Sequence, residues 1–515
     1  MRIGFGLSLL MFVNLLSTPA FAAGKAKHVV VIVWDAMRPD FVTEENAPTL
    51  ARLVRGGVWF ENHHAVYLSS TEVNGTAIAT GAYPEHDGII ANREYRPAVD
   101  AAKPFHTELV PQVRKGDELS HQHFVRVPTT AEILQARGMK TLIAGAKGVA
   151  FLHDRSLRPE TAKSVDLFAG QSVPPGVAQL ITSLHGPFPK SEDATPTRND
   201  WTTDALIDPL WKDGVPAFTL LWMNEPDAAQ HQYGPGSANA LAAIKNVDDN
   251  LAKVLRALEA KGVLDQTDIL IVSDHGCSTI SSLVDAVESL NGAGFKATRA
   301  FKGTPEKGEI LAVSNGGSVL LYVTGHDKEV TRKLVEFLQG WSFTGVIFTQ
   351  TAMEGTFSLH QGRIASPDAP DVVVSMRWRS DKSDNGTRGT LVSDLYDYGP
   401  GQGMHVSLSP FDMHNTLVGF GPDFRAGTVD HLPTGNVDVA PTILWILGVK
   451  QPKSMDGRVL AEALAHCDVK LKSYEQSHLE TSKKSTGGTW RQYLNTVEVN
   501  GVTYLDEGNG YQADR

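Results

Sequence analysis

The chain has 515 residues, 42% of them hydrophobic and 20% charged, an ordinary globular balance that excludes a mostly disordered or coiled-coil protein. Its formal net charge of −11 repels nucleic-acid backbones over long range, so duplex binding is not expected, although bound metal ions would still allow phosphate to approach. Only Cys277 and Cys467 are present; disulfides therefore cannot form the scaffold, and one bridge is the most the count allows.

At the N-terminus, Arg2, an apolar run from Ile3 to Leu16 and the small-x-small triplet Ala20-Phe21-Ala22 predict an export peptide, residues 1–22, cut after Ala22. The run is shorter than the ~20 apolar residues a spanning helix needs, and Asn14 interrupts it. No later stretch is apolar for long enough to span a bilayer. The mature chain is thus expected in the periplasm or outside the cell, its formal charge moved from −11 to −12 by loss of Arg2.

The first mature element is a continuous apolar strand, Val29 to Trp34, with Asp35 immediately after it. A helical pattern, "APTLARLVRGG", follows. Next comes "YLSSTEVNGTAIATGAYPEHDGII", where hydroxyls precede a small-residue helix running from Glu72 to Thr80. Ser69 with Glu72 three residues on has the form of a capping box, while a hydroxyl at a positive helix terminus also suits anions. This pattern does not separate Ser69, Ser70 and Thr71. Residues 93–130 are irregular and rich in His, Pro and charge, and "TTAEILQARG" is again helical.

The strand design recurs twice. "AFTLLWMNEPDAAQH" places Asp227 and His231 after its apolar run, and "TDILIVSDHG" ends in Asp274 and His275. Between them lies a long helix, "SANALAAIKNVDDNLAKVLRALEAKG", stopped by Gly262. Strand–helix alternation predicts an α/β fold: a doubly wound, mostly parallel sheet flanked by helices, with ligands at the carboxyl ends of the strands. Residues 295–400 carry their own strand–helix–strand pattern and are expected to form an inserted cap subdomain over the site. The chain rejoins the core at "MHNTLVGFGPDF" and "NVDVAPTILWILG", and its polar end contains a hairpin signal at Asn500-Gly501.

Asp227 and His231, one helical turn apart, share a face and can grip one cation, whereas Asp274-His275 suits a tight loop. Each set alone is as well explained by a surface pair or a cap. Together with Asp35, three oxygen–nitrogen sets at equivalent strand ends must converge, and such ligands suit zinc. A further ligand is expected from His405 in the Gly-punctuated loop "GQGMHVSLS"; His414 is the rival.

In their order along the chain, these segments resemble the alkaline phosphatase superfamily, in its type I phosphodiesterase/nucleotide pyrophosphatase branch, from about Val29 to Val459. The resemblance implies an alkaline phosphatase-like catalytic domain over residues 23–465, with insertions at about 93–200 and 295–400, and a C-terminal extension over 466–515. It implies Thr71 as nucleophile, Asn92 as a phosphate-binding group, and two divalent metal ions, zinc in the family. One ion is expected on Asp227, His231 and His405, the other on Asp35, Asp274 and His275 with Thr71 alongside. The partner would be a small phosphate ester, cleaved through a phospho-threonine.

Some positions depart from the pattern. Glu72-Val73 stands where the family commonly has Phe-Pro, and Gly-Met-His-Val replaces Gly-x-His-Gly around His405. Threonine-dependent phosphomonoesterases of the superfamily contact phosphate through Lys-x-Arg, for which "FLHDRS" offers His153 and Arg155. Loss of the lysine favours diesters, while Arg155 leaves a phosphomonoesterase or phosphonate hydrolase open. The alternative from another class is a metal-binding relative without catalysis.

Overall fold

A computed structural model describes residues 24–159, 161–189, 196–467, 474–485 and 488–513. The expected export peptide, residues 1–22, lies outside them.

Strand His28–Trp34 runs through the interior of a nine-stranded sheet because both of its faces are apolar. Val29, Val31 and Val33 point into a core shared with Val73, Ala77 and Ile78 of helix Thr71–Thr80. Val30, Ile32 and Trp34 point the other way, onto Ile244, Val247, Leu251 and Val254 of the long helix Ala238–Ala260. Side-chain alternation along one strand therefore binds two helical layers to one sheet.

Its parallel neighbours are Phe218–Met223 on one side and Thr267–Val272 on the other; Thr141–Gly145 and Val165–Phe168 extend the parallel order beyond Phe218–Met223. Antiparallel strands flank this centre, Leu417–Phe420 against Thr267–Val272 and Gln171–Val173 against Val165–Phe168. The α/β, mostly parallel and helix-flanked architecture is the expected one. Register then places the chemistry: Trp34 is level with Met223 and Val33 with Val272, so Asp35 emerges between the loops that carry Asp227 and Asp274.

Local signals act as their chemistry requires. Ser237 caps Ala238–Ala260 by accepting from the Ala240 amide, and Thr129 with Glu132 forms the capping box of helix Thr130–Gln135. The capping box at Ser69 and Glu72 does not form. Helix Thr71–Thr80 begins after Ser70, and the Ser69 hydroxyl donates instead to the carbonyl of Ser407 at 2.8 Å.

Residues 93–130 are more ordered than their composition suggests, with strand Arg93–Glu94 paired to Phe105–His106 and a helix over Val110–Leu119. Residues 297–376 build a separate six-stranded sheet, onto which helix Lys328–Gly340 packs Leu334, Val335 and Leu338. Three antiparallel strands, Tyr474–Ser485, Gly488–Val499 and Val502–Ala513, end the described chain. Asn500 and Gly501, both at positive φ, make the two-residue turn between the last two. Cys277 and Cys467 are buried and are not joined in a disulfide.

Candidate active site

The strand-end loops are laced to one another by backbone groups. The Asp227 amide donates to the Asp35 carbonyl at 3.1 Å, and Asp274 Oδ1 accepts from the Ala36 amide at 3.0 Å. Asp227 opens the short helix Asp227–Tyr233, which carries His231 one turn on. His405 follows strand Gly403–Met404, and at Gly403 a side chain would run into the Gln230 carbonyl, its Cβ 2.5 Å away. Next in the chain, Val406 is held at φ 76°, a region costly for a β-branched residue. Glycine would occupy it without strain. Two hydrogen bonds hold the turn, from the Val406 amide to the Ser69 carbonyl and from the Gly317 amide to the His405 carbonyl, both at 3.1 Å.

The three imidazoles share one arrangement. His231 Nδ1 lies 2.8 Å from the Gly403 carbonyl, His275 Nδ1 2.8 Å from that of Gly276, and His405 Nδ1 2.8 Å from that of Ser69. A carbonyl only accepts, so each Nδ1 carries the proton and each Nε2 of the neutral ring is left with its lone pair. Those lone pairs face carboxylate oxygens. His231 Nε2 is 3.2 Å from Asp227 Oδ1, His405 Nε2 3.8 Å from the same atom, and His275 Nε2 3.2 Å from Asp274 Oδ2 and 3.7 Å from Asp35 Oδ1. Asp35 Oδ1, Asp227 Oδ1 and Asp274 Oδ2 are buried and receive no hydrogen bond. Acceptors facing acceptors in a buried place need cations between them.

Five of these six residues form two overlapping groups, Asp227 with His275 and His405, and Asp35 with Asp274 and His275, while His231 falls in neither. The grouping by distance assigns His275 to both, whereas the resemblance assigns it to one; the stacking of the His275 and His405 rings, 3.8 Å between centroids, accounts for the overlap. Oxygen and imidazole donors with fixed tautomers fit divalent ions of the zinc type.

Thr71, buried at the start of its helix, places Oγ1 3.2 Å from His275 Nε2. Asn92 lies across the pocket floor, where its Oδ1 accepts from the Glu72 amide at 3.1 Å and its NH2 is left as a donor. A pocket of about 230 Å³ opens over Thr71, Asn92, Asp227, His231 and His405. The segments at 93–130 and 295–400 supply part of its wall, with Glu108 from the first and Asn315, Tyr396 and Tyr398 from the second. Tyr398 stacks on His231 with 4.4 Å between ring centroids.

Arg155 is not part of this pocket. Its guanidinium is buried beside Asp117, 3.4 Å away, and His153 packs edge-on against Trp222. The cation at the site is Lys147, whose Nζ lies 2.9 Å from Asp35 Oδ2 and 2.8 Å from Asp227 Oδ2. Lys147 obeys the same rule as the three aspartates, since it lies two residues past strand Thr141–Gly145, level with the end of Phe218–Met223. Reading that short strand in "TLIAGAKG" would have found it. The Lys-x-Arg lysine is absent from "FLHDRS", where His153 stands, and the cation beside the acids comes from a different strand end.

Crowded acids set the electrostatics. Burial, then neighbouring Asp274, pushes the Asp35 carboxyl well up, and burial pushes Asp274 up to about 7. Burial acts the same way on Asp227, but the Lys147 ammonium group outweighs it and holds that carboxyl well below its usual range. His275 and His405 are pushed down by burial and stay neutral, as ligands must. Glu72 is pushed well up by burial and then by Glu108.

Comparison with known proteins gives the family and the fold. Residues 29–389 match the family model of type I phosphodiesterase / nucleotide pyrophosphatase. Bis(5'-adenosyl)-triphosphatase enpp4 of Xenopus laevis is 24% identical over 424 residues, 82% of this chain and 78% of its own. Human ectonucleotide pyrophosphatase / phosphodiesterase 5 superposes with a TM-score of 0.57 at 16% identity, covering 85% of this chain and 100% of that one. The murine protein, solved as an inactive threonine-to-alanine variant in complex with AMP, gives 0.56 at 17% identity, over 83% of this chain and 96% of its own.

Proposed function

The chain belongs to the type I phosphodiesterase / nucleotide pyrophosphatase family, a branch of the alkaline phosphatase superfamily whose members hydrolyse phosphoester and phosphoanhydride bonds with metal, and from that premise we propose an exported two-zinc phosphodiesterase or nucleotide pyrophosphatase with Thr71 as nucleophile. One observation carries this reading: three imidazoles turned by backbone carbonyls and three carboxylate oxygens without donors stand at one set of strand ends, where the Thr71 hydroxyl lies 3.2 Å from His275 Nε2.

Asp227, His231 and His405 would hold one ion, and Asp35, Asp274 and His275 the other. Bound there, the ions would supply positive charge that favours the alkoxide of Thr71 and the negative oxygens of the phosphate. Thr71 Oγ1 attacks phosphorus, its O–P bond forms as the bond to the leaving oxygen breaks, and its proton leaves to solvent. The start of helix Thr71–Thr80 adds a favourable dipole for that charge. Asn92 donates from its NH2 to a non-bridging oxygen, a bond that strengthens as charge shifts there. Water then releases the phosphoryl group from Thr71.

The catalytic domain would span residues 23–465, its insertion at 295–400 bordering the leaving-group side through Asn315, Tyr396 and Tyr398. Export rests on the N-terminal pattern; no described helix is long and apolar enough to cross a membrane. Lys147 favours a second reading, phosphomonoesterase activity, because a cation in the pocket can meet the extra charge of a monoester.

Both readings are separated by turnover of p-nitrophenyl phosphate and bis(p-nitrophenyl) phosphate on protein of measured metal content. Faster diester turnover, with Thr71→Ala lower by about 10³-fold or more, is the expected outcome. Unchanged turnover in Thr71→Ala overturns the nucleophile, and faster monoester turnover overturns the diesterase.

A further inference from the structure

A second cluster of ligand-type side chains, His64, His414 and Asp506, lies outside the pocket and plays no part in the chemistry above. His64 stands on the two-residue strand His63–His64, which runs parallel to Thr434–Gly435 and meets His414 through an isolated antiparallel bridge. Their rings are 4.6 Å apart between centroids. Asp506 comes from the last strand, Val502–Ala513, where Asn495 is level with Glu507 and Thr496 with Leu505. Asp506 is therefore the extra residue of a bulge, the device by which a strand turns one side chain out of its ladder. The side chain is turned onto the two histidines.

Both imidazoles aim at one atom. His414 Nε2 is 2.7 Å and His64 Nε2 3.2 Å from Asp506 Oδ1. His64 Nδ1 lies 3.0 Å from the Thr434 carbonyl and so carries the ring's proton. In the neutral ring Nε2 then presents a lone pair to a carboxylate oxygen, which is the orientation of a metal-bound imidazole fixed by a backbone carbonyl. His64 is buried, whereas the side chains of His414 and Asp506 are 28% and 30% exposed, leaving a way in from solvent.

We propose that His64, His414 and Asp506 form a separate binding site for a divalent transition-metal ion of the zinc type, which pins the C-terminal three-stranded sheet to the catalytic core. Two nitrogens and one carboxylate, all within 4.8 Å of one another, suit a tetrahedral ion that keeps one position for water. The site joins three segments that are distant in sequence, so its occupancy would hold the last strand against strand His63–His64 and the residue after helix Pro410–Met413. The proposal does not depend on the reading of the pocket.

The test is metal content of the full chain, stripped with chelator, reloaded with zinc, freed of excess and measured by mass spectrometry. Wild type is expected to hold about one equivalent more than either Asp506→Asn or His414→Asn, with phosphodiester turnover per loaded pocket kept in both variants. Asp227→Asn, as a control, loses metal together with turnover, which separates a failure here from a failure of the pocket assignment. Equal zinc in wild type and Asp506→Asn overturns the proposal and leaves the cluster as a shared-proton ion pair. Should neither variant fold, crystals of zinc-loaded wild type decide: an anomalous peak about 2.0–2.1 Å from both Nε2 atoms supports the site, and none there overturns it.

Discussion

Lys147 holds the positive charge between Asp35 and Asp227 in a setting where burial, then Asp274, pushes the Asp35 carboxyl well up and Lys147 opposes them. Burial pulls its own ammonium group down, but the two aspartates outweigh this and keep it charged. Removing one partner of a buried ion pair costs about 3–5 kcal/mol, because the other charges stay behind. Lys147→Met is accordingly expected to destabilise the metal-stripped protein by an amount of that order and the zinc-loaded protein by much less. Thermal unfolding with chelator and with zinc compares the two losses; equal losses would show that Lys147 does not act through the carboxylates. Val406 makes the complementary point. Its positive φ explains why glycine is at home after this histidine, and the bonds to Ser69 and Gly317 hold the turn with valine in place.

Helix Thr71–Thr80 sets the nucleophile by packing, and Gly75 is where that packing is tightest. A Cβ there would lie 2.6 Å from Val149 Cγ2 and 3.1 Å from the Trp222 ring, and Trp222 Nε1 donates to Asp35 Oδ2 at 3.0 Å. Gly75→Val should push the helix away from Trp222, costing about 1–3 kcal/mol of stability and lowering kcat more than KM. Steady-state kinetics beside a thermal melt would refute this if kcat were unchanged. The same element shows what the sequence could carry. Apolar runs announced the strands whose ends hold Asp35, Asp227 and Asp274, because a strand buried on both faces needs no alternation to be visible. Lys147 escaped because Thr141–Gly145 is short and ends in small residues. Ser69 and Glu72 had the spacing of a capping box, yet Ser69 is drawn to Ser407 and Glu72 into the pocket. Those two pulls come from segments more than 300 residues away or from the fold's interior, beyond any local pattern. The Gly-punctuated loop favours His405 over His414 in the sequence, whereas the partners of His414, His64 and Asp506, stand near opposite ends of the chain and carry no local signal.

At the scale of the whole molecule, the start of the described chain is fastened by an acid pair rather than by apolar contact alone. Asp423 accepts from the amides of Lys25 and Ala26 at 2.7 and 2.9 Å, while its own amide donates to Asp268 Oδ1 at 3.2 Å. Asp268 is the second residue of strand Thr267–Val272, which leads to Asp274, so the pair ties residues 24–26, a central strand and the 421–424 turn together. Burial, then the charge of Asp423, pushes the Asp268 carboxyl up to about 8. An unfolded aspartate loses its proton near pH 4, so between about pH 4 and pH 8 the unfolded chain binds fewer protons than the folded one. Stability from this group is fully present below that window, falls as pH rises through it, and levels off above about 8. Asp268→Asn removes the titration while keeping a polar side chain beside Asp423. The variant's melting temperature relative to wild type should therefore rise steadily from about pH 5 to about pH 8, and parallel melting profiles across that range would show that Asp268 is ionised in the folded protein.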